Sequence, residues 1–205
     1  MLPPINFQQA PVKKRIPANY MKKLICTAVL CLLALGARAQ VKAGDPNPVT
    51  GSAREVLDRY SKNIIAAAQE MPAYKYSFRP TAGQESFGKI VEHLAESNNE
   101  VCALISDTRA PHPKLDETDS KEVLVAAMKA SFTFCASSLM KLQDSKMGDT
   151  ITFIGGRKVP RARAVFELTD DITDHYAQLA SYLRAADLVP PTAKQESQGQ
   201  VKQKP

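Results

Sequence analysis

Residues 168–191 read LTDDITDHYAQLASYLRAADLVPP, and this stretch decides the fold class. Its inward positions recur at spacings of four and three residues, which is the period of an amphipathic α-helix. This stripe consists of Leu168, Ile172, His175, Leu179 and Tyr182. Two consecutive prolines, Pro190 and Pro191, prevent the helix from continuing. The pattern predicts a helix over about 161–186 that turns one histidine toward a core.

Three segments upstream show the same period and predict further helices. They cover about 53–71, 86–106 and 120–143, and Asp119 or Ser120 can cap the third. Residues 148–160 differ, because short apolar runs flank two glycines as in a β-hairpin. The predicted fold class is therefore all-α, a four-helix bundle with a short β-hairpin or loop insertion between helices three and four.

The charge of the chain argues against a nucleic-acid partner. The 205 residues carry a formal net charge of +6, but residues 1–39 hold six basic residues and no acidic one. Residues 40–205 contain 21 basic and 21 acidic groups, so the remaining domain is neutral. A neutral domain without tryptophan lacks the positive surface and the stacking platform that nucleic-acid binding requires.

The basic N-terminal region contains a predicted signal peptide. Met21-Lys22-Lys23 precedes twelve mostly apolar residues, 24–35, and Ala37-Arg38-Ala39 forms a cleavage site. A helix of that length spans about 18 Å, which is too short for a hydrocarbon core of about 30 Å. We therefore expect cleavage after Ala39, no stable membrane anchor, and export to the periplasm or the medium. Residues 1–20 either precede a true start at Met21 or form a long leading segment.

The exported chain divides into three parts. Residues 40–52 are expected to form a linker, and residues 53–191 form the bundle. The tail at 192–205 is polar and lacks apolar periodicity, so we expect it to be disordered.

Two cysteines, Cys102 and Cys135, remain after cleavage of the signal peptide. On antiparallel neighbouring helices joined near 109–118 they would lie at different heights. Their Cα atoms would then be farther apart than the roughly 7 Å that a disulfide allows. The sequence therefore favours two buried thiols that pack as small apolar residues.

Polar side chains that interrupt the apolar faces are candidate metal ligands. Asp171 and His175 lie four residues apart, which places them about 40° apart around a helix and about 6 Å along it. His93 lies at the margin of the apolar face of the second helix. Two histidines and one carboxylate form an open site for a divalent ion such as Zn²⁺, Ni²⁺, Mn²⁺ or Fe²⁺. A hydrogen bond between Asp171 and His175 without an ion explains the same spacing, and His112 is expected at the surface.

At these residues the sequence resembles the DinB-like metal-binding four-helix bundles. Residues 86–95, SFGKIVEHLA, look like the family's second-helix histidine motif, and residues 174–191 are similar to its fourth-helix signature. The resemblance implies that His93, Asp171 and His175 bind a divalent metal ion, with Asp171 where the family usually has histidine. It also implies a long crossover connection, which we expect in the hairpin-bearing segment.

The resemblance implies a metal-dependent hydrolase or thiol transferase acting on a small-molecule substrate. Export favours hydrolysis, because the low-molecular-weight thiols used by the transferases are concentrated in the cytoplasm. Glu100 and Tyr176 are candidate helpers, and no general base is assigned. Two other interpretations stay open, namely a non-catalytic bundle that holds a metal, a ligand or a partner, and a structural bundle without an ion. A homodimer is compatible with the sequence, which indicates no face for it.

Overall fold

The computed structural model describes residues 44–202, so the signal peptide predicted within 1–39 lies outside the described residues. The described part consists of five α-helices and one two-stranded antiparallel sheet. The helices are α1 Pro48–Glu70, α2 Phe87–Ser106, α3 Lys121–Lys141, α4 Arg161–Ala185 and α5 Pro191–Lys202, and the strands are β1 Thr150–Thr152 and β2 Lys158–Pro160. The predicted helical bundle with a hairpin between its third and fourth helices is confirmed.

Local signals explain where the helices and the hairpin begin and end. The Ser86 hydroxyl accepts a hydrogen bond from the backbone N–H of Lys89 (3.0 Å) and caps α2. The helix ends at Asp107, which adopts the left-handed conformation with φ 51°. Gly155 and Gly156 have φ values of 71° and 77° in the hairpin turn, a region that glycine enters without steric cost.

A long crossover makes α2 and α3 parallel. Residues 107–120 leave the end of α2 and return along it, so that Ser86 at its start donates a hydrogen bond to Glu117 (2.6 Å). An extended segment of this length reaches about 46 Å, which exceeds the roughly 30 Å length of α2. The long crossover therefore connects helices two and three, and our expectation that it lies in the hairpin-bearing segment was wrong.

The parallel packing joins Cys102 and Cys135 in a disulfide, with Cα atoms 5.1 Å apart. The two cysteines lie 15 and 14 residues after the first residues of α2 and α3, so parallel helices place them at the same height. The prediction of two free thiols was wrong because it assumed antiparallel neighbours joined by a short loop. Both residues are fully buried, as the sequence indicated.

The other helices complete a bundle in which α1 contacts α3 and α4, and α4 also contacts α2. Arg161 at the start of α4 donates hydrogen bonds to the carbonyl oxygen of Ile105 and to Asp107 at the end of α2. Tyr182 near the end of α4 donates to the carbonyl oxygen of Glu85 beside the start of α2 (2.8 Å). Helices α2 and α4 are therefore antiparallel, and the candidate residues lie on the seam between them.

Helix α1 begins at Pro48, inside the segment expected to be a linker. The carboxylate of Asp144 accepts hydrogen bonds from the backbone N–H groups of Val49 (2.8 Å) and Thr50 (2.9 Å). These donors would otherwise lack partners in the first turn of a helix. Asp144 lies more than 90 residues away in the chain, so local sequence gives no sign of this cap.

The segment expected to be a disordered tail instead contains α5. Pro191 at its first position suits a helix start, because proline needs no N–H partner there. Thr192 accepts a hydrogen bond from the Tyr176 hydroxyl (2.9 Å), and Lys194 pairs with Glu70 (2.6 Å). These contacts with α4 and α1 are long-range, which is why periodicity alone did not indicate the helix.

Candidate metal centre

Helices α2 and α4 bring His93, Asp171 and His175 together on their shared seam. One ligand atom of each side chain lies within 4.8 Å of the others. His175 Nε2 and Asp171 Oδ1 are 3.3 Å apart, and the rings of His93 and His175 meet edge to face with centroids separated by 5.0 Å. The structure therefore places all three candidate ligands in one cluster.

The apolar stripe of α4 sets the position of the cluster at the edge of the core. Leu168, Ile172 and Leu179 are buried, as the periodicity predicted. The side chain of His175 retains 14% of its exposure and that of Asp171 retains 32%. The donor atoms are therefore held by packed helices and remain reachable from solvent.

Two neutral side chains orient the donors. Ser97 donates a hydrogen bond to Asp171 Oδ2 (2.9 Å), while Oδ1 faces His175. Gln178 Oε1 lies 3.0 Å from His175 Nδ1, and as an acceptor it keeps the ring proton on that nitrogen. The lone pair of a neutral His175 then lies on Nε2, where a metal ligand needs it. Ser97 lies one turn after His93 on α2, and the sequence did not indicate Gln178 as part of the site.

The same contacts shift the acid–base equilibria of the pair. Burial opposes ionisation of Asp171, but the hydrogen bond and charge of His175 and the hydrogen bond from Ser97 outweigh it and lower the pKa of Asp171. Burial also opposes protonation of His175, yet the hydrogen bond and charge of Asp171 raise the pKa of His175. Without a metal ion, the two side chains therefore favour an ion pair.

The donor set fits one divalent metal ion. Ligands at about 2.0–2.2 Å from a shared ion are separated by roughly 3.0–3.4 Å, and the 3.3 Å between His175 Nε2 and Asp171 Oδ1 lies in that range. Imidazole and carboxylate donors suit Zn²⁺, Ni²⁺, Mn²⁺ and Fe²⁺. Among residues 44–202 the cluster contains no fourth histidine, cysteine or carboxylate. Three protein ligands leave coordination positions for water or substrate.

The two candidate helpers lie away from the cluster. Tyr176 is buried, and its hydroxyl donates to Thr192 on α5 instead of facing the metal ligands. Glu100 is exposed and lines a surface cavity of about 700 Å³ with Glu96 and His112, beside the crossover. His112 is exposed, as expected. Among residues 44–202, neither the Glu100 nor the Tyr176 side chain forms a hydrogen bond or an ion pair with the three ligands.

Comparison with known proteins gives one family and several solved structures. Residues 56–179 match the sequence model of the DinB superfamily. A DinB-like protein of Bacillus cereus superposes with a TM-score of 0.54 at 15% identity, covering 64% of this chain and 89% of the other. A DinB-like protein of Bacillus subtilis gives a TM-score of 0.55 at 17% identity, covering 68% and 96%. These likenesses show the fold alone.

A mycothiol-dependent maleylpyruvate isomerase also shares the fold. Its TM-score is 0.53 at 10% identity, covering 63% of this chain and 60% of the isomerase. A comparison with curated proteins found no match.

Proposed function

Because the chain belongs to the DinB superfamily, we propose that it is an exported protein that binds one divalent metal ion and uses it to hydrolyse a small-molecule substrate. The observation that carries this proposal is the cluster of His93, Asp171 and His175, whose donor atoms lie within 4.8 Å of one another. A divalent ion bound by such a site lowers the pKa of a coordinated water or thiol toward neutrality.

Each side chain of the site has a distinct task in this proposal. His93 and His175 supply neutral nitrogen donors from two helices, and Asp171 supplies the negative charge that offsets part of the charge of the ion. Ser97 and Gln178 hold Asp171 and His175 in place through the hydrogen bonds described above. The seam remains reachable from solvent, which gives a substrate access to the open coordination positions.

Export is supported by the signal-like segment at 21–39 and by the disulfide between Cys102 and Cys135. Structural disulfides are typical of proteins in oxidising compartments and are rare in the cytosol. Hydrolysis is favoured over thiol transfer because an exported protein leaves the cytoplasmic pool of small thiols.

N-terminal sequencing of the released protein tests export. The expected first residue is Gln40, because cleavage follows Ala39. A protein that retains residues 1–20 would contradict the proposed export.

A non-catalytic metal- or ligand-binding bundle is the second candidate function. It is favoured by the positions of Glu100 and Tyr176, because neither side chain is hydrogen-bonded or ion-paired to the three ligands. Turnover separates the two candidates. A hydrolase cleaves p-nitrophenyl esters or phosphoesters in its metal-loaded form and loses that activity in His175→Ala, whereas a binding module shows metal retention without turnover.

Metal content after loading tests the proposed site. The purified protein is exposed to Zn²⁺, Ni²⁺, Mn²⁺ or Fe²⁺, desalted and analysed for bound metal. We expect about one equivalent in the wild type and a loss of most of it in His93→Ala and His175→Ala, since each removes one of three ligands.

The control is His112→Ala, which removes the third histidine of the described residues at an exposed position away from the seam. It should retain the metal. Full retention in both His93→Ala and His175→Ala, or loss in His112→Ala, would contradict the assignment.

A further inference from the structure

The surface cavity between α2 and the crossover is a second place where a small molecule can bind. Glu96 and Glu100 line it from α2, and His112, Lys114 and Leu115 line it from the crossover together with two prolines. Its volume of about 700 Å³ lies in the range of small-molecule sites. We call this cavity the crossover subsite.

The crossover subsite begins within one helical turn of the metal ligand on α2. Glu96 follows His93 by three residues, and Glu100 follows Ser97 by three residues, so these side chains share one side of the helix. At 1.5 Å per residue, the two glutamates lie about 5 Å and 10 Å from His93 along the helix axis. A small molecule with one end at the metal centre therefore reaches both carboxylates with a short chain.

The two carboxylates have no ionic partner in the described part of the chain. Both glutamates are exposed, and neither forms an ion pair among residues 44–202. Lys89, the one basic residue of α2, is already paired with Glu92 at 2.9 Å. Like charges four residues apart repel each other on a helix. A cation bound between Glu96 and Glu100 removes this repulsion.

The charges of the surroundings also favour a cation. Lys114 offsets one of the two carboxylates, so the lining residues keep a formal net charge of −1 with His112 counted as neutral. Arg109, the other basic residue of the crossover, does not line the cavity. On α4, Asp174 adds a further negative charge beside His175. An anionic substrate would meet repulsion here, whereas a cationic one would be attracted.

A buried acceptor without a partner lies next to the same carboxylates. Asn99 is 4% exposed, and its Oδ1 forms no hydrogen bond among residues 44–202. It follows Glu96 by three residues, so the two side chains are neighbours on α2. It also lies eleven residues, about three turns, after Gly88 and therefore on the face that the crossover covers. Such an acceptor favours a ligand that carries N–H donors.

We propose that the crossover subsite binds an ammonium group of the substrate, and that the substrates are small esters or amides whose acyl chain carries this group. The proposal rests on the metal-dependent hydrolysis proposed above. In that reaction the oxygen of water bonds to the acyl carbon, the C–O or C–N bond breaks, and a proton passes to the leaving oxygen or nitrogen. Glu96 and Glu100 bind the ammonium group away from the breaking bond, and Leu115 and the prolines contact the aliphatic chain.

A matched pair of acids tests the subsite in the Zn²⁺-loaded protein. Hexanoate and 6-aminohexanoate differ only by the terminal ammonium group, and calorimetric titration compares their affinities. We expect 6-aminohexanoate to bind roughly three- to tenfold more tightly, as for an ion pair that remains partly hydrated. Glu96→Gln/Glu100→Gln should remove this advantage and leave the affinity for hexanoate and the Zn²⁺ content unchanged.

The control is Glu55→Gln/Glu122→Gln, which removes two exposed carboxylates that do not line the cavity. It should keep the preference for 6-aminohexanoate.

A second titration needs no metal ion and separates the subsite from the metal chemistry. Hexylamine is added to ¹⁵N-labelled protein in the presence of a chelator, and the backbone amide signals are followed. We expect the signals of Glu96, Glu100 and Lys114 to shift in the wild type and not in Glu96→Gln/Glu100→Gln. These shifts together with a wild type that binds no Zn²⁺ would contradict the metal chemistry and leave the subsite in place.

Three results would overturn the subsite itself. They are a Zn²⁺-loaded protein that binds both acids equally well, a preference for 6-aminohexanoate that survives in Glu96→Gln/Glu100→Gln, and hexylamine shifts that are absent from the signals of residues 96, 100 and 114.

Discussion

A proton and a metal ion compete for the same nitrogen, His175 Nε2. Asp171 faces that nitrogen at 3.3 Å and raises the pKa of His175, while His175 lowers the pKa of Asp171. The arrangement therefore stabilises a positive charge at this point, whether a proton or a metal ion supplies it. The sequence predicted the three ligands from the spacing of Asp171 and His175 on one helix and from His93 on another. It did not predict the orienting role of Gln178, because many surface glutamines have the same spacing from a histidine.

The metal-free protein should show a pH-dependent contribution from this pair. The raised pKa of His175 stabilises the fold below its unfolded value of about 6.5, and this contribution is lost as the pH rises through the folded pKa. The lowered pKa of Asp171 stabilises the fold above about pH 4, and this contribution is lost as the pH falls through the folded value. The difference in unfolding free energy between the wild type and His175→Gln should therefore be largest between about pH 4 and 6.5.

Urea unfolding of both proteins across this range, in the presence of a chelator, measures the difference. His112→Gln is the control, because that histidine is exposed and lies away from Asp171. A difference that is constant with pH, or one that grows above pH 7, would show that the ion pair does not form.

Replacing Asp171 with histidine should restore the donor set that is usual in the family. A third imidazole suits Zn²⁺ and Ni²⁺ better than a carboxylate does, so Asp171→His should bind these ions more tightly. We expect a gain of roughly tenfold in a competition titration with a chromogenic chelator, comparable with the effect of changing one metal-site contact. Weaker Zn²⁺ binding in Asp171→His than in the wild type would show that Asp171 is not a ligand position.

At the scale of secondary-structure elements, the crossover determines which residues meet. The positions of α2, α3 and α4 were predictable from periodicity and caps, but the direction of α3 was not, because a loop of 107–120 can either turn back sharply or run the length of α2. Contacts at the far end of this loop show that it runs the length of α2. The hydroxyl of Ser86 donates to Glu117, and the backbone of Gly88 lies directly beneath the crossover.

Gly88→Ala should destabilise the crossover. A Cβ atom there would lie 2.7 Å from the carbonyl oxygen of Glu117 and 3.3 Å from that of Tyr76, and backbone atoms cannot yield as a flexible side chain can. We expect a net loss of roughly 1–3 kcal/mol in unfolding free energy, despite the gain of about 1 kcal/mol in helix propensity. Gly148→Ala is the control, because a Cβ at Gly148 meets open space. Thermal unfolding that shows equal stability for the two variants would contradict the close packing at Gly88.

The disulfide between α2 and α3 should stabilise the fold by constraining the unfolded chain. It links residues 33 apart, and a loop of that size corresponds to about 3–4 kcal/mol in the chain-entropy treatment. Cys102→Ala/Cys135→Ala should therefore unfold at a lower urea concentration than the oxidised wild type. A mass decrease of the wild type consistent with one disulfide, measured against the reduced protein, checks that the bond forms. Two free thiols in the purified protein would contradict the parallel placement of the cysteines.

At the scale of the whole molecule, the sequence largely predicts the helical bundle. It does not predict the start of α1 or the helix α5. The amphipathic stripes of α1 to α4 specify a core, and the glycine pair specifies the hairpin. The start of α1 and the helix α5 depend on partners elsewhere in the chain, namely Asp144 for the former and Tyr176 and Glu70 for the latter. Local patterns contain no information about such partners, so these segments were expected to be irregular.

We propose that helices α2 and α4 together hold one metal ion. Anomalous diffraction from crystals of the metal-loaded protein, recorded at the absorption edge of the ion, locates that ion. We expect a single strong peak at about 2.0–2.2 Å from a ring nitrogen of His93, Nε2 of His175 and a carboxylate oxygen of Asp171. A peak at His112 or elsewhere on the surface, with none between these three side chains, would contradict it.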